Sequence, residues 1–163
     1  MKKISIIVLL ALCLGLVSCH PKIKEHTNDK NEKLLFSTLY IQQAAEYKAL
    51  CYQAYNLGQV RLDAILKNHK GNKKLAIVVD VDETVLNNSP FEAKSILEKT
   101  SYPTFWKEWC EQIDAESIAG AQEFLSYAAF HKVETFYVTN RKIELYDATL
   151  QNLRKNLIYI YNK

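Results

Sequence analysis

The chain has 163 residues, 48% hydrophobic and 24% charged, which is enough for one globular domain with a core. Its formal net charge is +3, and Lys2 and Lys3 at the extreme N-terminus supply two of those positive charges. The near-balanced remainder, with no dense Lys/Arg cluster, argues against a nucleic-acid polymer as partner. Met1-Lys2-Lys3 is a short positive head, and residues 4–17 are almost wholly apolar. That run is too short to cross a bilayer comfortably as a helix, so residues 1–18 are predicted to be an export signal.

Leu16-Val17-Ser18-Cys19 follows. A small residue before cysteine at this place resembles a bacterial lipobox, which predicts cleavage before Cys19 and lipidation of that residue. The expected location is the cell envelope, with the chain held at a membrane by its N-terminal lipid. Residues 19–33 are polar and lack periodicity, which predicts a tether. Residues 34–163 then form the domain. Cys51 and Cys110 remain beyond the anchor. An oxidising compartment permits their pairing, and two separate buried thiols are the alternative. His26, His69 and His131 are scattered and suggest no zinc site.

Within the domain, apolar residues recur at helical spacing from 34 to 56, with Tyr40, Tyr47, Tyr52 and Tyr55 beside them. Gly58 is expected to break or bend this helix, and 60–67 continue as a second, shorter one. Leu75-Ala76-Ile77-Val78-Val79 is a continuous apolar run, the signature of a strand buried on both faces. A short helix is predicted over 92–99. Residues 100–110 are rich in aromatics: Tyr102, Phe105, Trp106 and Trp109. A helix opens at Ile118-Ala119-Gly120, and a second strand covers 133–138. Another helix spans 143–155, and 157–161 suggest a third strand. Strands alternating with helices predict an α/β fold, a parallel sheet flanked by helices behind an N-terminal helical segment.

Asp80-Val81-Asp82-Glu83-Thr84 leaves the end of the first strand. Ligands of parallel sheets bind beyond the carboxyl ends of their strands. One carboxylate there can attack phosphorus, and the other can move protons. Two carboxylates also suit Mg²⁺, a hard cation that prefers oxygen. The second strand ends at Thr139-Asn140-Arg141. Thr139 offers a hydroxyl, and backbone N–H groups near the next helix start favour phosphate oxygens. No Gly-x-x-x-x-Gly-Lys loop and no Gly-x-Ser-x-Gly elbow occurs, which argues against nucleotide triphosphatases and serine hydrolases.

At these residues the chain resembles the HAD superfamily, and within it the bacterial lipoprotein acid phosphatases, the class B/C group with its outer-membrane 5′-nucleotidases. Residues 79–91, Val-Asp-Val-Asp-Glu-Thr-Val-Leu-Asn-Asn-Ser-Pro-Phe, match that group's first motif, and residues 136–141 match its second. The likeness extends from about residue 40 to about 150 through Ala45–Leu50, Gln53–Asn56, Trp106–Trp109 and Gly120–Phe124. It implies a HAD-like fold and a Mg²⁺-dependent hydrolase of small phosphomonoesters, including nucleoside 5′-monophosphates and nicotinamide mononucleotide. It implies that Asp80 is nucleophile and metal ligand. Asp82 would be the acid/base, with its backbone carbonyl on the metal. Thr139 and the Asn140 backbone would hold the phosphoryl group. Phe91, Trp106 and Trp109 are candidates to stack on a base, with core packing as the alternative for each.

The family's third motif is a downstream lysine, and its fourth is an acidic pair in a Gly-Asp-Asn-like strand end. Here no glycine follows Gly120, and the last acidic residue is Asp147. Lys155 and Lys163 stand in no convincing context. The expectation is a C-terminally truncated member with an incomplete sheet, weak or inactive alone. A non-enzymatic surface lipoprotein or nucleotide-binding remnant is the competing reading.

Overall fold

The structure, a computed structural model, describes residues 30–156. The leader, Cys19, residues 19–29 of the tether and the strand expected at 157–161 lie outside the described residues. Six α-helices and two strands follow in order: α1 (Lys30–Gln43), α2 (Ala45–Asn68), β1 (Ala76–Asp80), α3 (Ser89–Leu97), α4 (Trp106–Gln112), α5 (Ala121–Phe130), β2 (Glu134–Val138) and α6 (Tyr146–Lys155). A 3₁₀ turn, Ile143–Leu145, leads into α6. No helix among the described residues is long and apolar enough to cross a membrane.

β1 and β2 pair in parallel, with Ala76 opposite Glu134 and Asp80 opposite Val138. A parallel pair requires a long crossover, and α3, α4 and α5 supply it. α5 packs on β2 and on α2, while α1 packs on α3. Ile77, Val79 and Tyr137 face a core built on Val81, Val85, Leu86, Ala115, Leu125 and Leu153. A second cluster of Leu62, Ala128 and Val133 holds α2, α5 and the entry to β2 together.

Three expectations are corrected. β1 is covered on one face only: Val78 is 68% exposed, and Phe136 opposite it on β2 is 47% exposed. Among the described residues nothing covers that face, so a run that reads as doubly buried is half-buried. The first helical pair divides at Ala44, not Gly58. Ala44 is extended (φ −77°, ψ 125°) and its N–H closes the last turn of α1 on the Tyr40 carbonyl at 3.0 Å. α2 runs unbroken through Gly58, where a Cβ would meet the Phe124 ring of α5 at 3.4 Å, an ordinary van der Waals contact. The aromatic run contains a helix of its own, α4, which sets Trp106 and Trp109 one turn apart. In addition, α1 starts at Lys30, so residues 30–33 belong to it and not to the tether.

Cys51 and Cys110 are unpaired thiols. Burial pushes the Cys110 thiol up to about 11, which keeps it protonated and unreactive at neutral pH.

Gly120 precedes α5 at φ +85°, and a Cβ there would lie 3.2 Å from both Tyr52 and Tyr55. Gly120→Ala combines left-handed strain with a clash against two rings of α2. It is expected to destabilise the fold by about 1–3 kcal/mol. Urea unfolding followed by circular dichroism should show a lower midpoint at unchanged m-value.

Candidate active site

The turn after β1 is fastened from inside. The Val85 and Leu86 N–H groups both donate to the Val81 carbonyl, at 2.9 and 2.8 Å. Glu83, at φ 53°, returns its N–H to the Leu86 carbonyl at 2.9 Å. Val81, Val85 and Leu86 are fully buried, so the apolar residues between the acids pin the loop to the core. From α2, Tyr55 Oη donates to the Thr84 carbonyl at 2.5 Å. On the far side, the Ile118 N–H donates to the Val85 carbonyl at 2.9 Å. Buried Asn152 on α6 holds that second segment by bonding both backbone groups of Ala115.

Asp80 is the last residue of β1 and is exposed at the strand end. The parallel register sets it beside Val138, one residue before Thr139. Two motifs far apart in sequence therefore meet on one rim. Asp82 lies inward of Asp80 and is held by a polar network. Arg141 Nη2 donates to Asp82 Oδ1 at 2.6 Å, and Nε donates to both oxygens at 3.0 and 3.2 Å. Asn88 Nδ2 adds a bond to Oδ1 at 2.8 Å, and Thr139 Oγ1 reaches Oδ2 at 3.4 Å. Trp109 Nε1 donates to Asn88 Oδ1 at 2.9 Å, which orients the amide.

Asn88 stands at the start of α3, yet its side chain serves Asp82. The neighbouring Asn87 Oδ1 accepts the Ser89 N–H at 2.9 Å instead, and Pro90 sits in the first turn, where its missing N–H costs nothing. Consecutive asparagines thus divide two tasks, fastening the helix start and fastening the carboxylate.

A cavity of about 280 Å³ opens beside Asp82. Phe91, Tyr102 and Trp106 form its aromatic wall, and Asn140 and Arg141 line its polar side. Phe91 is buried and meets Trp106 edge to face at 5.0 Å between ring centres. Trp109 packs on the main core through its ring. Both therefore have packing roles, and Trp106 with the more exposed Tyr102 presents the aromatic surface to the cavity. Partial burial raises the Glu83 and Glu92 carboxyls, and hydrogen bonds from Asn88 oppose the rise at Glu83. Lys155 pairs at the surface with Asp114 at 2.8 Å.

The donor chemistry fits one kind of metal. Among the described residues no group of three or more His, Cys, Asp or Glu could hold an ion. The rim offers the exposed Asp80 carboxylate at the end of β1. Such a donor suits Mg²⁺, which keeps several waters and takes one or two protein carboxylates beside substrate oxygens. It does not suit a dehydrated, all-protein cage.

Asp80, Asp82, Thr139, Asn140 and Trp106 were all legible as candidates. The Arg141 side chain, Asn88 and the indole N–H of Trp109 were not. A buried arginine carries no sequence mark. Its only cue is position, two residues after the threonine of the second motif.

Residues 20–163 match the family described as HAD superfamily, subfamily IIIB (acid phosphatase). The chain is also similar to a class C acid phosphatase from Bacillus anthracis solved with tungstate bound. Identity is 42% with a TM-score of 0.76, over 78% of this chain and 54% of that one. A further structure of the Bacillus anthracis class C enzyme gives 42% identity and a TM-score of 0.77, over 80% and 55%. The chain thus spans about half the length of these structures. With the match running from residue 20 to residue 163, the chain belongs to subfamily IIIB of the HAD superfamily, the acid phosphatases.

Proposed function

We propose that this chain carries the nucleophile, the acid/base group and the first phosphate contacts of a Mg²⁺-dependent acid phosphatase. Small phosphomonoesters, nucleoside 5′-monophosphates and nicotinamide mononucleotide among them, are its substrates. One observation carries the reading: the parallel register puts Asp80 and Thr139 on one rim, with Asp82 fixed beside them. The relative solved with tungstate, a tetrahedral oxyanion like phosphate, adds support.

In the first step an Asp80 oxygen attacks phosphorus. The bond from phosphorus to the ester oxygen breaks, and Asp82 donates its proton to the leaving alkoxide. In the second step Asp82 takes a proton from water as that water attacks the aspartyl phosphorus. This releases inorganic phosphate and restores Asp80. Thr139 Oγ and the Asn140 N–H hold phosphoryl oxygens. When bound, Mg²⁺ supplies positive charge that offsets repulsion between the carboxylate and the phosphate. Asp80 and the Asp82 carbonyl would hold it.

Turnover by these 163 residues alone is expected to be slow, since the family's lysine and late acidic pair have no convincing counterpart among them. The N-terminal pattern supports a lipid anchor at Cys19 and a place in the cell envelope. The family match begins at residue 20, directly after that cysteine.

The test is phosphate release from p-nitrophenyl phosphate and adenosine 5′-monophosphate at acidic pH, with Mg²⁺ or with EDTA. Mg²⁺-dependent release that tungstate inhibits is the expected result. Tungstate binding without release would favour a non-enzymatic nucleotide-binding lipoprotein. Absence of both tungstate binding and phosphate release would end the phosphatase reading for this chain.

A further inference from the structure

Asp82 is held far more tightly than proton transfer alone requires. Its Oδ1 receives three donors: Arg141 Nη2 at 2.6 Å, Asn88 Nδ2 at 2.8 Å and Arg141 Nε at 3.0 Å. Its Oδ2 has only longer contacts, Arg141 Nε at 3.2 Å and Thr139 Oγ1 at 3.4 Å. The guanidinium is itself immobilised. Its side chain is 3% exposed, Nη1 donates to Thr149 Oγ1 at 3.1 Å, and the Trp106 ring lies 5.3 Å from Cζ. The start of α3, the segment after β2, α4 and α6 all contribute to this clamp. Asp80, two residues away, sits outside it.

A carboxylate oxygen has room for about two strong donors, and a guanidinium alongside repels a divalent cation. We infer that Arg141 is a positioning residue that divides labour between the two aspartates. It saturates Oδ1 and keeps the Asp82 carboxylate off the metal, which leaves Oδ2 for the proton. Asp80 is thereby the only side chain of the pair available to metal and phosphorus. This inference rests on the phosphatase reading above and assigns a task to a residue outside that chemistry.

Mn²⁺ binding, followed by electron paramagnetic resonance on the purified chain, tests it without turnover. Asp80→Asn should weaken Mn²⁺ by about tenfold or more, and Asp82→Asn should change it by less than about threefold. Arg141→Met frees a carboxylate and removes a positive charge, so it should tighten Mn²⁺ by about tenfold. Should that variant not fold, Arg141→Lys keeps the charge but loses the fork. It should leave KM within about threefold and lower kcat by about tenfold or more. Asp82→Asn weakening Mn²⁺ as much as Asp80→Asn would overturn the inference, and so would Arg141→Lys leaving kcat unchanged. A folded wild type that binds no Mn²⁺ removes the metal reading and this inference together. Wild type that binds Mn²⁺ but hydrolyses nothing defeats the phosphatase reading, and the inference is then decided by the binding arms.

Discussion

Asp80→Asn is expected to give a folded protein whose phosphate release falls by about a hundredfold or more, to the uncatalysed background, from the slow wild-type rate. The two halves of this expectation have separate grounds. Asp80 ends β1 with its side chain exposed, so exchanging one oxygen for an amide disturbs no packing. Its effect on stability should stay within about 0.5 kcal/mol, as for other surface changes. The chemical loss is large because an amide neither attacks phosphorus nor carries the charge a hard cation needs. Release kinetics and a thermal melt on the same preparation check both halves. Residual turnover within about tenfold of wild type would remove Asp80 from the nucleophile's place.

Asp82→Ala should behave in the opposite way and unfold more easily, by about 3–5 kcal/mol. The reason lies in the partner it leaves behind. Arg141 is almost fully enclosed, and its guanidinium cannot turn to water when the carboxylate goes. Breaking a buried pair from one side strands a charge, which costs much more than the pair itself was worth. Asp82→Asn keeps an oxygen for Arg141 and should lose less. Replacing both Asp82 and Arg141 by apolar residues should recover part of the loss. A double-mutant cycle by urea denaturation measures the coupling directly. A cycle that closes at zero would mean the two side chains do not depend on each other.

The contrast between these two aspartates shows what a sequence can and cannot say. Asp80, Asp82 and Thr139 are legible because acid pairs and hydroxyls at strand ends have few structural reasons to be there. The parallel pairing is legible because apolar runs alternate with helical periodicity. The clamp on Asp82 is not, since it depends on Asn88, Trp109, Arg141 and Thr149, which converge only after four elements have packed. The break at Ala44 is hidden for a related reason. Alanine is the best helix former, so an extended alanine is imposed by how α1 must turn to reach α3. Gly58 misleads in the other direction, since one glycine inside a long helix costs only about 1 kcal/mol and does not end it. The short helix α4 hides within an aromatic-rich stretch whose residues have only modest helix propensity.

The chain contains two tryptophans, and both belong to the Asp82 network: Trp109 through its N–H to Asn88, and Trp106 against Arg141. The protein therefore carries a built-in optical reporter of its own rim. Indole emission should shift when an oxyanion enters, with no label attached. Because no tryptophan lies elsewhere, the signal comes without background, and a titration with tungstate could be read in a cuvette before any product is measured.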